Sequence, residues 1–298
     1  MKITVTTPTG HIGSKLSNLL LDRGAEVTVI ARDPTKVKDL ADRHARVIAG
    51  EHSDPAVVKR AIEGADSLFW LVPPDYTTKD PRIEYRRFAD AAATAISQFP
   101  KIKLVLLSSV GANHNERVGP IKGSHDAEEK LRATVKNLTA LRANYFIENV
   151  LSSRRTIIGD GNIYSVVPGS VTTPQIATAD IAAIAADVLL ARRDGQHILD
   201  LAGPEEISFD QVAETLSKTI GKTVRHVVVP DEALVSGLIG AGISPELARE
   251  LVEMQHAFAK GMPHEFLGEQ KLTGKITFAQ FAREVFLPSY RKASASAA

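Results

Sequence analysis

The amino-acid sequence predicts an α/β protein: a doubly wound parallel sheet with a small, mostly helical C-terminal lobe. Three observations carry this. Short β-branched runs alternate with longer segments of helical spacing through the first half of the chain. The strand-like runs are nearly all apolar rather than alternating, which suits strands covered on both faces. Strand, crossover helix and strand recur at least four times, the pattern of a doubly wound sheet.

Strands are expected at residues 3–6, 26–30, 46–49, 67–72 and 102–107. Between them, Ile12, Leu16, Leu19 and Leu20 share one helical face, and Val37, Leu40 and Ala41, then Val57, Val58 and Ile62, do the same in the next two connections. Further strands are expected at 138–141 and 197–201, with a helix over 180–191 between them that Asp180 caps. Beyond Gly203 the pattern loosens: Ser208 opens a helix to Thr219, 224–229 reads as an added strand, and 245–260 and 278–286 read as helices. With no sheet signal of its own, this part is expected to cover the carboxyl edge of the sheet. The division is therefore a sheet domain over 1–150 with 176–203 returning to it, a lobe from 151–175 and 204–290, and a disordered low-complexity tail at 291–298.

Composition excludes several function classes. A chain of 298 residues buries about three quarters of its extended surface and needs no disulfide or structural metal to fold. The absence of cysteine removes disulfide scaffolds, thiolate metal sites and cysteine nucleophiles. His114, His256 and His264 lack metal-ligand spacing, so no metal is expected. A formal net charge of +1 with no basic stripe argues against nucleic acid. The longest apolar stretch, 181–191, is broken by Asp187 and is far short of the ~18 residues of a membrane span. A strand pattern that begins at once, with no signal peptide ahead of it, points to a cytoplasmic protein.

Directly after the first strand stands T-P-T-G-H-I-G, residues 7–13 without a break: Thr7, Thr9, Gly10, His11, Ile12 and Gly13 around Pro8. A loop of this kind turns sharply and presents backbone N–H groups and a helix N-terminus to a pyrophosphate. Gly10 permits close backbone approach and Gly13 close helix–strand packing. The usual first glycine is Thr7, and Pro8 removes a donor while driving Thr7 out of the α region; the hydroxyls of Thr7 or Thr9 are the available compensation. At the tip of the second strand stand Arg32, Asp33 and, a little on, Lys36. A carboxylate there would hold a ribose 2′-hydroxyl; an arginine pairs with a 2′-phosphate. The reading favours NADP(H) over NAD(H), against the alternative that Arg32 is a solvated loop charge. Glu51 and His52 lie where an adenine-edge contact is expected, with helix capping around Ser53 and Asp54 the alternative. Val72 and Pro73, in L-V-P-P-D-Y, are expected along the cofactor, with Tyr76 lining the pocket and Trp70 in the core.

At this point the residues resemble the NmrA-like family of atypical short-chain dehydrogenases/reductases. The likeness rests on T-P-T-G-H-I-G, A-R-D-P at 31–34, S-S-V-G-A at 108–112, H-D-A-E-E-K at 125–130, L-R-A-N-Y-F-I-E-N-V at 141–150, A-T-A-D-I-A-A-I-A at 177–185 and A-G-P-E-E-I-S-F at 202–209. The H-x-x-x-E-K segment resembles the quinone-reductase branch. The resemblance implies a Rossmann fold, NAD(P) binding and a small substrate lobe, with functions divided between NAD(P)H-dependent reductases and non-catalytic redox-sensing regulators.

The larger superfamily transfers protons through Tyr-x-x-x-Lys. None of the five tyrosines here has lysine four residues later, and Asp126 stands four before Lys130. What remains is Ser109 at the tip of the fifth strand, to hydrogen-bond a substrate oxygen. His125 is the substitute acid, and Lys130 would hold the nicotinamide ribose; the alternative for His125 and Lys130 is a solvated helix face. Tyr145 and Asn149 are candidate substrate contacts, while Met254, His256 and Phe258 reach the pocket or form the lobe's own core. The expected function is NADPH-dependent hydride transfer to a small hydrophobic acceptor such as a quinone or conjugated carbonyl, which needs little acid assistance. The alternative is an NADP(H)-sensing regulator with a protein partner. Beyond a small-molecule substrate, a homodimer is the other partner considered.

Overall fold

The computed structural model describes residues 1–191 and 193–297. Among the described residues the strands are β1 (Lys2–Val5), β2 (Glu26–Ala31), β3 (Arg46–Ala49), β4 (Ser67–Trp70), β5 (Lys103–Ser109), β6 (Leu138–Ala143), β7 (Asn162–Ser165), β8 (Thr172–Thr173), β9 (Gln196–Ala202), β10 (Ile207–Ser208), β11 (Arg225–Val228) and β12 (Gln270–Thr273). The α-helices are α1 (His11–Asp22), α2 (Lys38–Asp42), α3 (Pro55–Ile62), α4 (Pro81–Ile96), α5 (Ile121–Thr134), α6 (Arg154–Gly159), α7 (Thr178–Ala191), α8 (Phe209–Ile220), α9 (Asp231–Gly240), α10 (Pro245–Ala259), α11 (Phe278–Phe281) and α12 (Leu287–Ala297).

Eight strands form one parallel sheet in the order β3-β2-β1-β4-β5-β6-β9-β12. One core lies under α1 and α7, where Leu16 and Leu20 meet Ile181, Ala182 and Ala185 above the sheet. The other holds Val58, Ile62, Trp70, Phe88 and Leu131 beneath α3, α4 and α5. Both faces are thus covered, which is why the strands read as continuous apolar runs. Strand order reverses between β1 and β4, so a crevice opens at the carboxyl ends there. Trp70 is fully buried, as expected.

Three expectations are corrected. The C-terminal part does contribute a sheet strand: β12 pairs in parallel with β9, Lys271 opposite Asp200. Its polar sequence Q-K-L-T carries no strand signal, and it is placed instead by Asp200, whose carboxylate accepts the Gly268 N–H. Asp180 does not cap its helix. The helix begins at Thr178, whose N–H and hydroxyl are held by Glu148, while the Asp180 carboxylate accepts the N–H groups of Lys275 and Ile276, 2.9 Å each. The tail expected to be disordered over 291–298 is helical through Ala297; Ala298 lies outside the described residues.

Outside the main sheet, β7 pairs with β11 and β8 with β10. Ser208 caps α8 through a capping box with Gln211. Among the described residues no helix is long and apolar enough to cross a membrane.

Candidate active site

The crevice is built from its strand ends. Thr6 ties β1 to β4: its hydroxyl donates to the Phe69 carbonyl at 3.2 Å and accepts the Leu71 N–H at 3.0 Å. Thr7 follows at φ 52°, in the left-handed region, a strained position for a β-branched residue and one where glycine is usual. The turn closes with Gly10 N–H donating to the Thr7 carbonyl at 3.0 Å. Gly13 is obligatory, because a Cβ there would stand 2.2 Å from the Thr7 carbonyl oxygen. At Gly10 the same atom would be 3.4 Å away, so the close fit is at Gly13 alone.

Gly10 gives α1 no side-chain cap, and the first-turn N–H groups of a helix have no partner within it. Thr9, Gly10 and His11 are exposed beside this N-terminus, whereas the Ile12 side chain goes into the core. The Thr7 hydroxyl is buried with no hydrogen-bond partner. An uncapped helix N-terminus, an orphaned hydroxyl and close backbone packing together fit a pyrophosphate.

At the tip of β2 the two charges are divided. Asp33 turns inward on its own loop, accepting the Thr35 N–H at 3.0 Å and hydroxyl at 2.6 Å, and these bonds hold its carboxyl below the usual carboxylate range. Arg32 and Lys36 are exposed, and among the described residues Arg32 makes no hydrogen bond or ion pair. His52 is not at an adenine edge. It is buried between Trp70 and Phe88, ring centroids 5.0 and 4.5 Å away, with Nε2 donating to the Leu71 carbonyl at 3.0 Å. Burial lowers its pKa to about 4. Asp54, as the alternative had it, caps α3.

The loop after β4 leaves the sheet at Leu71, with Val72 buried and Pro73 half-buried. It is fastened to the lobe by Ser244, whose N–H donates to the Tyr76 carbonyl at 2.9 Å and whose hydroxyl donates to that of Thr78. The Tyr76 side chain itself points out, 56% exposed.

Ser109 ends β5, and its hydroxyl donates to the Val110 carbonyl at 2.9 Å. His125 is brought against the loop that follows, Nδ1 2.8 Å from the Ala112 carbonyl. A carbonyl only accepts, so Nδ1 is the donor of this bond. Lys130 is not with them. It projects from the other face of α5, paired with Asp90 of α4 at 2.8 Å; Asp126, one turn before it, pairs with Arg82 and Arg86 on that helix. Tyr145 packs edge-on against Phe209 and Phe258 in the lobe's core with Met254, and burial pushes its hydroxyl up to about 12. Asn149 is exposed and turns its amide toward that hydroxyl. His256 pairs with Asp231 on the surface.

Sequence reasoning missed a buried polar row beside Ser109. Ser108, Arg142 and Asp200 stand in register across β5, β6 and β9. Glu128 of α5 covers them, accepting from the Ser108 hydroxyl at 2.8 Å and from Arg142 at 2.7 and 3.1 Å. Glu128 lies one turn from His125, so this pair fixes the helix that carries the imidazole.

The chain is similar to an NAD(P)H azoreductase of Xenophilus azovorans, 26% identical over 94% of this chain and 96% of the azoreductase. Among solved structures, an NADPH-dependent quinone oxidoreductase from Escherichia coli complexed with NADPH superposes with a TM-score of 0.77 at 22% identity, covering 95% of this chain and 99% of that one. A Citrobacter triphenylmethane reductase complexed with NADP(H) gives 0.71 at 21% identity over 98% and 99%. The sequence matches the NmrA-like family over residues 1–272, and the chain belongs to that family.

Proposed function

We propose that the protein is an NADPH-dependent oxidoreductase that passes a hydride to a small, electron-poor conjugated acceptor such as a quinone or conjugated carbonyl. The observation that carries the proposal is the division of charge at the tip of β2: Asp33 is occupied by its own turn while Arg32 is exposed. An arginine so placed receives a 2′-phosphate in bidentate fashion. The N-terminus of α1 and the Thr7 hydroxyl would hold the pyrophosphate, with Val72 and Pro73 along the nicotinamide side. NADPH, when bound, supplies the hydride. Ser109 and His125 line the reaction centre, and the relatives named as azoreductase and quinone oxidoreductase support the redox reading.

Calorimetric titration tests it. NADPH is expected to bind more tightly than NADH, and Arg32→Ala to weaken NADPH about tenfold or more while leaving NADH unchanged. NADPH oxidation is then followed with quinones and enones. Failure of both nucleotides to bind at millimolar concentration overturns the proposal. One observation favours the regulatory alternative: Lys130 is turned away from the crevice. Tight NADPH binding with no turnover of any acceptor would select that alternative.

A further inference from the structure

We infer that residues 260–269 form a strap beside Ser109 that histidine–glutamate pairs hold shut, fastened while the imidazoles are protonated and loosened as pH rises. The strap stands on its own contacts; its bearing on acceptor entry rests on the reductase reading.

The strap runs from the end of α10 to the start of β12. At its near end the Met262 side chain rests against Gly111, two residues beyond Ser109, so closely that a Cβ there would stand 2.4 Å from the sulfur. The next carbonyl, of Pro263, accepts the Asn144 side-chain amide at 2.6 Å from just past the end of β6. The strap therefore closes against the ends of β5 and β6.

Three histidine–glutamate pairs fasten it to different parts of the chain. Glu265 meets His114 of the loop after β5 at 2.6 Å, His264 meets Glu206 of the turn after β9 at 3.0 Å, and Glu269 meets His197 of β9 at 2.9 Å. Each is an ion pair only while its imidazole is protonated. His197 shows the requirement most directly. Its Nδ1 faces the Glu269 carboxylate and its Nε2 faces the Asp194 carbonyl at 2.7 Å, and both partners only accept. A neutral ring has one N–H, so the two bonds exist together only in the imidazolium. The Glu269 bond and then the Asp194 bond push the His197 pKa up, against the charge of Arg193. A raised histidine pKa lends stability at low pH that is lost as pH rises through the raised value.

The other polar groups around these pairs do not reverse that sign. Opposite His197, β6 places the uncharged Thr139. Beside His114, Asn113 donates to the same Glu265 oxygen at 3.4 Å, and Glu116, Arg117 and Lys260 line that face. Beside Glu206, Glu205 is taken by the Phe278 N–H. Asp200 accepts the Gly268 N–H, and burial pushes its carboxyl up, so this anchor weakens only on the acid side. With the three pairs discharged, the strap keeps the Met262 contact and its backbone bonds, and an acceptor reaches Ser109 more readily.

The chain has no cysteine, so a nitroxide on Leu267→Cys, at a strap position 61% exposed, reports the strap in the full-length protein without nucleotide. Its mobile fraction is expected to rise about fivefold from pH 6 to pH 8.5. A control label at Ile83→Cys on α4, 60% exposed, is expected not to change. Replacing His114, His197 and His264 together by Gln, whose amide donates at every pH, is expected to flatten the response, and His197→Gln alone to reduce it. A Leu267 label indifferent to pH, equal rises at both labels, or a triple variant that keeps the full response overturns the inference. With NADPH present, the apparent KM for menadione is expected to fall over the same pH range in the parent protein and not in the triple variant. A KM that does not follow the label overturns the gating. If NADPH binds and no acceptor is reduced, the reductase reading fails and the gating with it, while the label still decides the strap.

Discussion

Arg142 and Glu128 meet in a bidentate pair, Nη2 2.7 Å from Oε1 and Nε 3.1 Å from Oε2, with both side chains almost sealed from water. Such a pair is worth little over an apolar replacement, yet losing one member strands the other's charge. Glu128→Gln is expected to cost about 3–5 kcal/mol of stability. Glu128→Leu with Arg142→Met is expected to recover most of it. Denaturant unfolding of the single and double variants measures both, and additive losses would refute the coupling.

Gly13 touches the Thr7 carbonyl with no room for a methyl group. Gly13→Ala must therefore push α1 off β1, at a cost of about 1–3 kcal/mol. Because the displaced turn is the proposed pyrophosphate cradle, NADPH affinity is expected to fall much further than stability does. Calorimetry beside a thermal melt separates the two effects.

The buried His52 imidazole gives the fold a pH dependence of definite sign. Its pKa is depressed from 6.5 to about 4, because burial penalises the charged ring. The unfolded chain takes up the proton first as pH falls, so this contribution is intact above about pH 6.5 and is lost progressively down to pH 4. A depression of this size corresponds to about 3 kcal/mol. His52→Gln is expected to flatten the difference in stability between pH 7 and pH 4.5, followed by urea midpoint.

Lys130 sits half-exposed on the outer face of α5 with Asp90, where an ion pair contributes at most about 1 kcal/mol. Lys130→Met is expected to leave NADPH affinity unchanged and to move the melting temperature by only a few degrees. A large loss of NADPH binding would return this lysine to the crevice.

The legible parts of the chain were those that speak through apolar periodicity or backbone geometry. β1, β2, β4 and β5 announce themselves as unbroken β-branched runs, and the turn from Thr7 to Gly13 falls where a strand gives way to a helix. The place of Arg32 just beyond β2 was readable because it counts from that turn. Arg142, Asp200 and Glu128 were not, since a charge buried by three neighbouring strands and one helix is spelled like a charge in solvent. Lys130 misled for a related reason: it shares a helical face with Asp126, and which neighbour that face meets is settled by α4 packing, far away in sequence.

The return of the chain to β9 through β12 has a practical consequence for dissection. Residues 204–269 leave the sheet from β9 and re-enter it beside that same strand, while β7 and β8 join the lobe from before β9 by pairing with β11 and β10. A fragment ending at residue 203 would expose the β9 backbone edge, an open template for intermolecular strand pairing. Such a fragment is expected to aggregate rather than yield a separable nucleotide-binding module, and an engineered chimera has to exchange the segment between β9 and β12 together with β7 and β8, which pair with it.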